Sequence, residues 1–170
     1  IRSSFFGHEP QVDFSLLERG FHLIYCDVAD LYGAPEAVER WSSCYRIMLG
    51  SGLQCKVALE GLSRGGLIIY NWAAANPEKV SCIYADAPVL DIRSWPGDKG
   101  RGKGSSSDWE KCLDAYGLET EEDLQDFKGS PIDNALILAK SGKPLLHVYG
   151  ESDQVVPPEE NTIPFAEKIR

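Results

Sequence analysis

Three histidines and one methionine are all that these 170 residues contain of either type. Positive charge is also scarce: 17 Lys and Arg face 26 Asp and Glu, a formal net charge of −9. No basic face can be assembled from so few cations to neutralise a phosphate backbone, which argues against a nucleic-acid partner. The densest positive stretch, Lys99 to Lys103, is short and diluted by glycine. No apolar run approaches the roughly 20 residues of a membrane span, so a soluble protein without a membrane partner is expected. Internal repeats and linkers are absent. The five cysteines, Cys26, Cys44, Cys55, Cys82 and Cys112, lack metal-ligand spacing and mostly fall in apolar runs. Buried free thiols are therefore expected, and no metal site. What remains is ordinary for a single globular domain, with 43% hydrophobic residues to build a core.

Against this plain background one pattern stands out, Gly61-Leu62-Ser63-Arg64-Gly65. It follows a short apolar run, Lys56 to Leu59, and opens into Gly66 to Ala75, which has helical composition. Strand, sharp turn and helix with a serine at the apex make the context of a nucleophile elbow. The serine backbone is expected to be strained, and glycines on either side remove Cβ atoms where strand and helix approach closely. The turn would lift the Ser63 hydroxyl to the N-terminus of the following helix, whose dipole and N–H groups favour a developing oxyanion.

Elsewhere the chain alternates helix and strand. Pro10 begins a helix with Val12, Leu16 and Leu17 on one face, and Gly20 ends it. Phe21 to Cys26 is a nearly continuous apolar run, predicting a strand covered on both faces. Pro35 begins a second helix with Val38, Trp41, Tyr45 and Met48 at spacings of three and four, and Gly50 stops it. Further strands are predicted over 80–85 and 144–149, and 165–170 reads as part of a helix. The alternation indicates a mostly parallel sheet flanked by helices, with ligand sites at the strands' carboxyl ends. From Asp91 to about Asn134 no strand is predicted. A glycine- and lysine-rich loop is followed by a helix that Ser107 caps and Gly117 ends, then one that Thr120 caps and Gly129 ends. This insertion between two strands is expected to form a cap over Ser63. Trp95 and Trp109 are its candidates for lining a substrate pocket, or for pinning the cap to the body.

Several stretches carry a family likeness. They are Phe6-Gly7-His8-Glu9-Pro10-Gln11, Asp27-Val28-Ala29-Asp30-Leu31-Tyr32-Gly33, the elbow with Tyr70-Asn71-Trp72, Tyr84-Ala85-Asp86-Ala87-Pro88, and His147-Val148-Tyr149-Gly150-Glu151-Ser152-Asp153 with Val155-Val156-Pro157. Together they resemble an α/β-hydrolase, close to bacterial esterases with a G-L-S-R-G-G elbow, and the likeness runs along nearly the whole chain. It implies one partial α/β-hydrolase domain over 1–170, with the cap inserted at about 91–134. By this resemblance Ser63 matches the nucleophile and Asp153, in a G-x-x-D-x-x-V-P setting, matches the acid. Asp86, also at a strand end, is the rival acid. Arg64 and Ser3 would supply the backbone N–H groups of the oxyanion hole, the Arg64 side chain being free to form a surface salt bridge. His8 is a candidate substrate contact.

The family's order is serine, acid, histidine, and no histidine follows Asp153. His22 and His147 lie in predicted strands as core or edge residues, so the base is expected beyond Arg170. Both ends read as interior to a fold, and the 170-residue piece alone is expected to lack efficient catalysis. The resemblance implies hydrolysis of a small-molecule carboxylic ester through an acyl-enzyme, without metal or organic cofactor. Two alternatives stand beside it. One is a serine peptidase of the prolyl-oligopeptidase kind, which shares the elbow and acid loop. The other is a non-catalytic binding protein on the same fold.

Overall fold

A computed structural model describes residues 10–170 of the chain. Its centre is a parallel three-stranded sheet in the order β1 (Val57–Leu62), β2 (Val80–Asp86), β3 (Leu145–Val148). Helix α3 (Gly65–Ala75) connects β1 to β2, and it is buried along nearly its whole length because Leu67, Ile68, Ile69, Tyr70 and Trp72 all face protein. Against it pack α2 (Pro35–Gly50) and α6 (Ala135–Ser141), while α7 (Thr162–Ile169) lies against α6. Leu59, Ile83 and Ala85 from the strands meet Trp72, Leu138 and Phe165 from the helices in the main core. The predicted face of α2 is the one used: Tyr45 is buried, and Val38, Trp41 and Met48 pack against that core. Proline at its first position and Gly20 in the left-handed turn after α1 (Gln11–Glu18) follow the expected punctuation.

Three expectations need correction. Phe21 to Cys26 is not a strand, and it is not covered, for Phe21 is 53% exposed and Ile24 51%. Apolar composition supplies the side chains of a strand, but the ladder must come from a neighbouring strand, and among the described residues none pairs with this segment. The apolar face of α1 is likewise poorly covered: Val12 and Leu17 are exposed, Leu16 is half-buried, and no residue on that helix is buried. Of the cysteines, all five are free but only Cys112 is buried.

The 91–134 excursion between β2 and β3 carries α4 (Ser106–Tyr116), α5 (Glu121–Asp126) and a 3-10 turn, Pro131–Asn134. The cap of α4 is Ser105 rather than Ser107: the Ser105 hydroxyl accepts from the Asp108 N–H, and Ser107 falls inside the first turn. Thr120 caps α5 in a reciprocal capping box with Asp123, but the helix ends at Asp126, ahead of Gly129. The excursion has its own small core, in which Ile92 and Cys112 join Tyr32, Leu67, Val89 and Val156. Burial pushes the Cys112 thiol up to about 12, so it is an inert packing group.

Buried polar groups tie the pieces together. Asn161 is 1% exposed and spends its whole amide. Its oxygen accepts from the Leu90 N–H at 2.8 Å, and its nitrogen donates to Ser94 Oγ and the Pro157 carbonyl, each at 3.0 Å. The excursion is thereby stitched to the segment after β3. His147 on β3 is stacked on Phe165 and bonded to the Tyr70 hydroxyl of α3 and, at 3.1 Å, to Thr162 Oγ1 of α7. Its burial pushes the imidazole pKa down to about 4. It is a core histidine, as its strand position suggests.

Two consequences are measurable. Asn161→Ala strands buried donors and acceptors on both sides and should cost about 2–3 kcal/mol in urea unfolding; a loss below about 0.5 kcal/mol would show that water replaces the amide without penalty. For His147, the unfolded ring protonates near its ordinary 6.5 while the folded ring resists until about 4. The unfolded chain therefore binds more protons between those values, so the contribution is complete above pH 6.5, shrinks as pH falls, and levels off below about 4. His147→Gln should flatten the melting temperature across that window, and an unchanged acid slope would assign it to other groups.

Candidate active site

All three strands end in register at one edge of the sheet: Leu62 pairs with Asp86, and Asp86 with Val148. Ser63 follows β1 directly, and Asp153 lies in the loop after β3, so both belong to the carboxyl edge, one on each side of β2. At strand level that is a separation of roughly 10 Å, two inter-strand spacings.

Ser63 has φ 52°, one of three non-glycine residues with positive φ among those described; the others, Tyr32 (47°) and Ala87 (39°), also sit at this edge. Such a backbone costs about 1–2 kcal/mol. Three hydrogen bonds hold it: the Ser63 N–H donates to the Asp86 carbonyl at 2.8 Å, and the Ser63 carbonyl accepts from Gly66 and Val89, each at 2.9 Å. The glycines on either side are required by space. A Cβ on Gly61 would lie 2.7 Å from Ile69 Cδ1 and 2.9 Å from the Gly65 carbonyl oxygen, and one on Gly66 would lie 2.6 Å from the Val89 carbonyl oxygen. The Arg64 N–H, at the start of α3, meets no acceptor among the described residues. It is thus free to donate to a bound oxygen.

Asp153 forms a tight local turn. Its Oδ1 accepts from the N–H groups of Val155 (2.8 Å) and Val156 (3.0 Å). This is the turn-capping arrangement open to any such aspartate, and it also orients the carboxylate with Oδ2 still available. The loop is braced from the excursion: the Lys103 N–H donates to the Gln154 carbonyl at 2.8 Å, Ser94 Oγ donates to Glu160 at 2.7 Å, and the Arg101 N–H also donates to Glu160. A Cβ on Gly102 would lie 2.8 Å from Pro157 Cδ, and one on Gly100 would have to displace the Glu160 carboxylate.

The surface salt bridge expected of the Arg64 side chain is not what forms. Arg64 is 9% exposed and reaches the Ala29 carbonyl at 3.0 Å, Asp30 at 3.3 Å and Asp108 of α4 at 2.9 Å. Its guanidinium carbon lies 4.7 Å from the Tyr32 ring centroid and 5.0 Å from that of Trp95, two rings that are themselves neighbours at 6.3 Å. Trp95 therefore packs on the elbow arginine, and Trp109 packs into the core of the excursion. Tyr32, Asp108 and Asn161 went unnoticed as site residues. The one local signal near them, the Ser105-x-x-Asp108 capping spacing, says nothing about a distant arginine.

His147 is engaged with Tyr70 and Thr162, and His22 stands exposed in the 21–28 segment. Neither is bonded to Ser63. The proposed oxyanion residue Ser3 and substrate contact His8 lie outside the described residues. Asp86 ends β2, with its backbone carbonyl committed to Ser63. Among the described residues no group of three or more His, Cys, Asp or Glu side chains is placed to hold a metal, and no helix is long and apolar enough to cross a membrane.

The prolyl oligopeptidase family (Peptidase_S9) matches residues 51–169, from ahead of β1 to the end of α7. Among solved structures, a puromycin hydrolase mutant complexed with PGG aligns with a TM-score of 0.57 and 23% identity, over 78% of this chain and 19% of its own. Identity at that level speaks for the fold alone, and this chain spans about a fifth of that protein's length, 19%. No curated protein matches. The sheet, its flanking helices and a family match over 51–169 agree: the chain carries an α/β-hydrolase fold and belongs to the prolyl oligopeptidase family of serine hydrolases.

Proposed function

We propose that this chain is part of a serine peptidase in which Ser63 is the nucleophile and Asp153 the triad acid. The observation that carries the reading is the left-handed Ser63 between β1 and α3, next to an unengaged Arg64 N–H, in a chain of a peptidase family. Ser63 Oγ would attack the acyl carbon, the Arg64 N–H would hold the tetrahedral oxygen, and water would release the acyl-enzyme. Asp153 Oδ2 would orient the imidazole of the triad histidine, a role for which neither His22 nor His147 is placed. The 91–134 excursion would act as the cap, set against both the elbow and the acid loop.

The family favours a peptide substrate over the carboxylic ester expected from the elbow motif. The acyl chemistry is common to both, and an ester is the easier leaving-group problem, so the leaving group and not the nucleophile separates the two readings. The decisive comparison uses the full-length protein with chromogenic prolyl peptides and short 4-nitrophenyl esters, with fluorophosphonate labelling as a count of reactive serines. Ser63→Ala should lose labelling and at least about 10³-fold of kcat/KM, and Asp153→Asn about 10²- to 10⁴-fold. Ester cleavage without peptide cleavage would return the protein to the esterase reading. A native protein that neither labels nor turns over would be a binding scaffold.

A further inference from the structure

The elbow arginine is held by more than a backbone function requires. Arg64 and Asp108 are both largely removed from solvent, with side chains 10% and 16% exposed. Asp108 is saturated around the pair: Oδ1 accepts from the Tyr32 hydroxyl at 2.7 Å and from Arg64 at 2.9 Å, and Oδ2 accepts from Ser105 Oγ at 2.7 Å. The guanidinium uses one terminal nitrogen on the Ala29 carbonyl and Asp30, and the other on Asp108. Two neighbouring aromatic rings, Tyr32 and Trp95, also lie against it. Four segments thus converge on one side chain: the elbow, the 29–32 turn, the Trp95 loop and α4. The 29–32 turn is itself seated on α3, for a Cβ on Gly33 would lie 2.7 Å from the backbone of Leu67.

A buried ion pair is a poor stabiliser compared with apolar groups of similar size, because desolvation offsets most of its attraction. Its strength is geometric, and a forked, stacked guanidinium fixes orientation in a way that a lysine ammonium does not. The residue so fixed is the one whose N–H faces the oxyanion, one position after Ser63. We infer that the Arg64 side chain is a positioning residue that aims its own backbone N–H at the oxyanion. Asp108 sets the arginine's orientation, so the excursion governs turnover through α4 without touching substrate. The inference rests on Ser63 being the nucleophile. It predicts that disturbing the pair lowers kcat while leaving KM nearly alone, because the lost interaction strengthens only as the oxyanion forms.

The test uses the full-length protein and a substrate it turns over, with kcat expressed per fluorophosphonate-titrated serine so that unfolded molecules do not count. Asp108→Asn preserves shape and an acceptor oxygen, and Arg64→Lys preserves charge. Arg64→Met with Asp108→Leu removes both ions and restores apolar packing. Each should lower per-site kcat about tenfold or more with KM within about threefold. The apolar pair should do so even where its melting temperature equals that of the native protein, an outcome that a purely structural pair would not produce. Per-site kcat within about twofold of native in Asp108→Asn and in the apolar pair overturns the positioning role. Undiminished turnover in Ser63→Ala overturns the nucleophile reading itself, so the two failures are distinguishable.

Discussion

The left-handed backbone at Ser63 constrains everything around it. A non-glycine residue holds φ 52° only if its neighbours leave no alternative. Here the Ser63 N–H is bound to β2 and its carbonyl is shared by the first turn of α3 and by Val89. The register of β1 on β2, the start of α3 and the path of the chain after β2 are therefore coupled through one residue. Gly61 and Gly66 are the corresponding sequence requirement, since side chains there would occupy space held by Ile69 and the Val89 backbone. The strain is local, and it sits beside the Arg64 N–H, which meets no acceptor among the described residues.

Around that point the structure is layered by hydrogen-bonding role. The main core beneath the sheet is apolar, with one neutral histidine bridging β3, α3 and α7. The carboxyl edge is polar and cross-braced. Arg64 gathers the 29–32 turn and α4, while Asn161 and Glu160 gather the 90–101 segment and the loop after β3. The 91–134 excursion is consequently clamped at two places, one beside Ser63 and one beside Asp153. Ser63 and Asp153 follow different strands, and the excursion is bonded to the loops that carry both. Rigid support of this kind is what lets a site on loops keep its geometry.

The sequence by itself determined the elements whose signals are local. The elbow, proline at the start of α2, glycine after α4, the capping box of α5 and the parallel alternation all follow from periodicity and from backbone rules that act within a few residues. Ser63 could be singled out for the same reason, as it sits in a short motif, and Asp153 through the family resemblance of its loop. Tertiary structure decided whatever depends on a distant partner. Apolar composition over 21–26 could not supply a neighbouring strand, and of the five thiols only Cys112 became fully buried. Nor could sequence say that Arg64 would turn inward rather than to the surface, because its partners lie 34 and 44 residues away. Long-range pairing is set by how the strands and the excursion pack, and that information is not local to any motif.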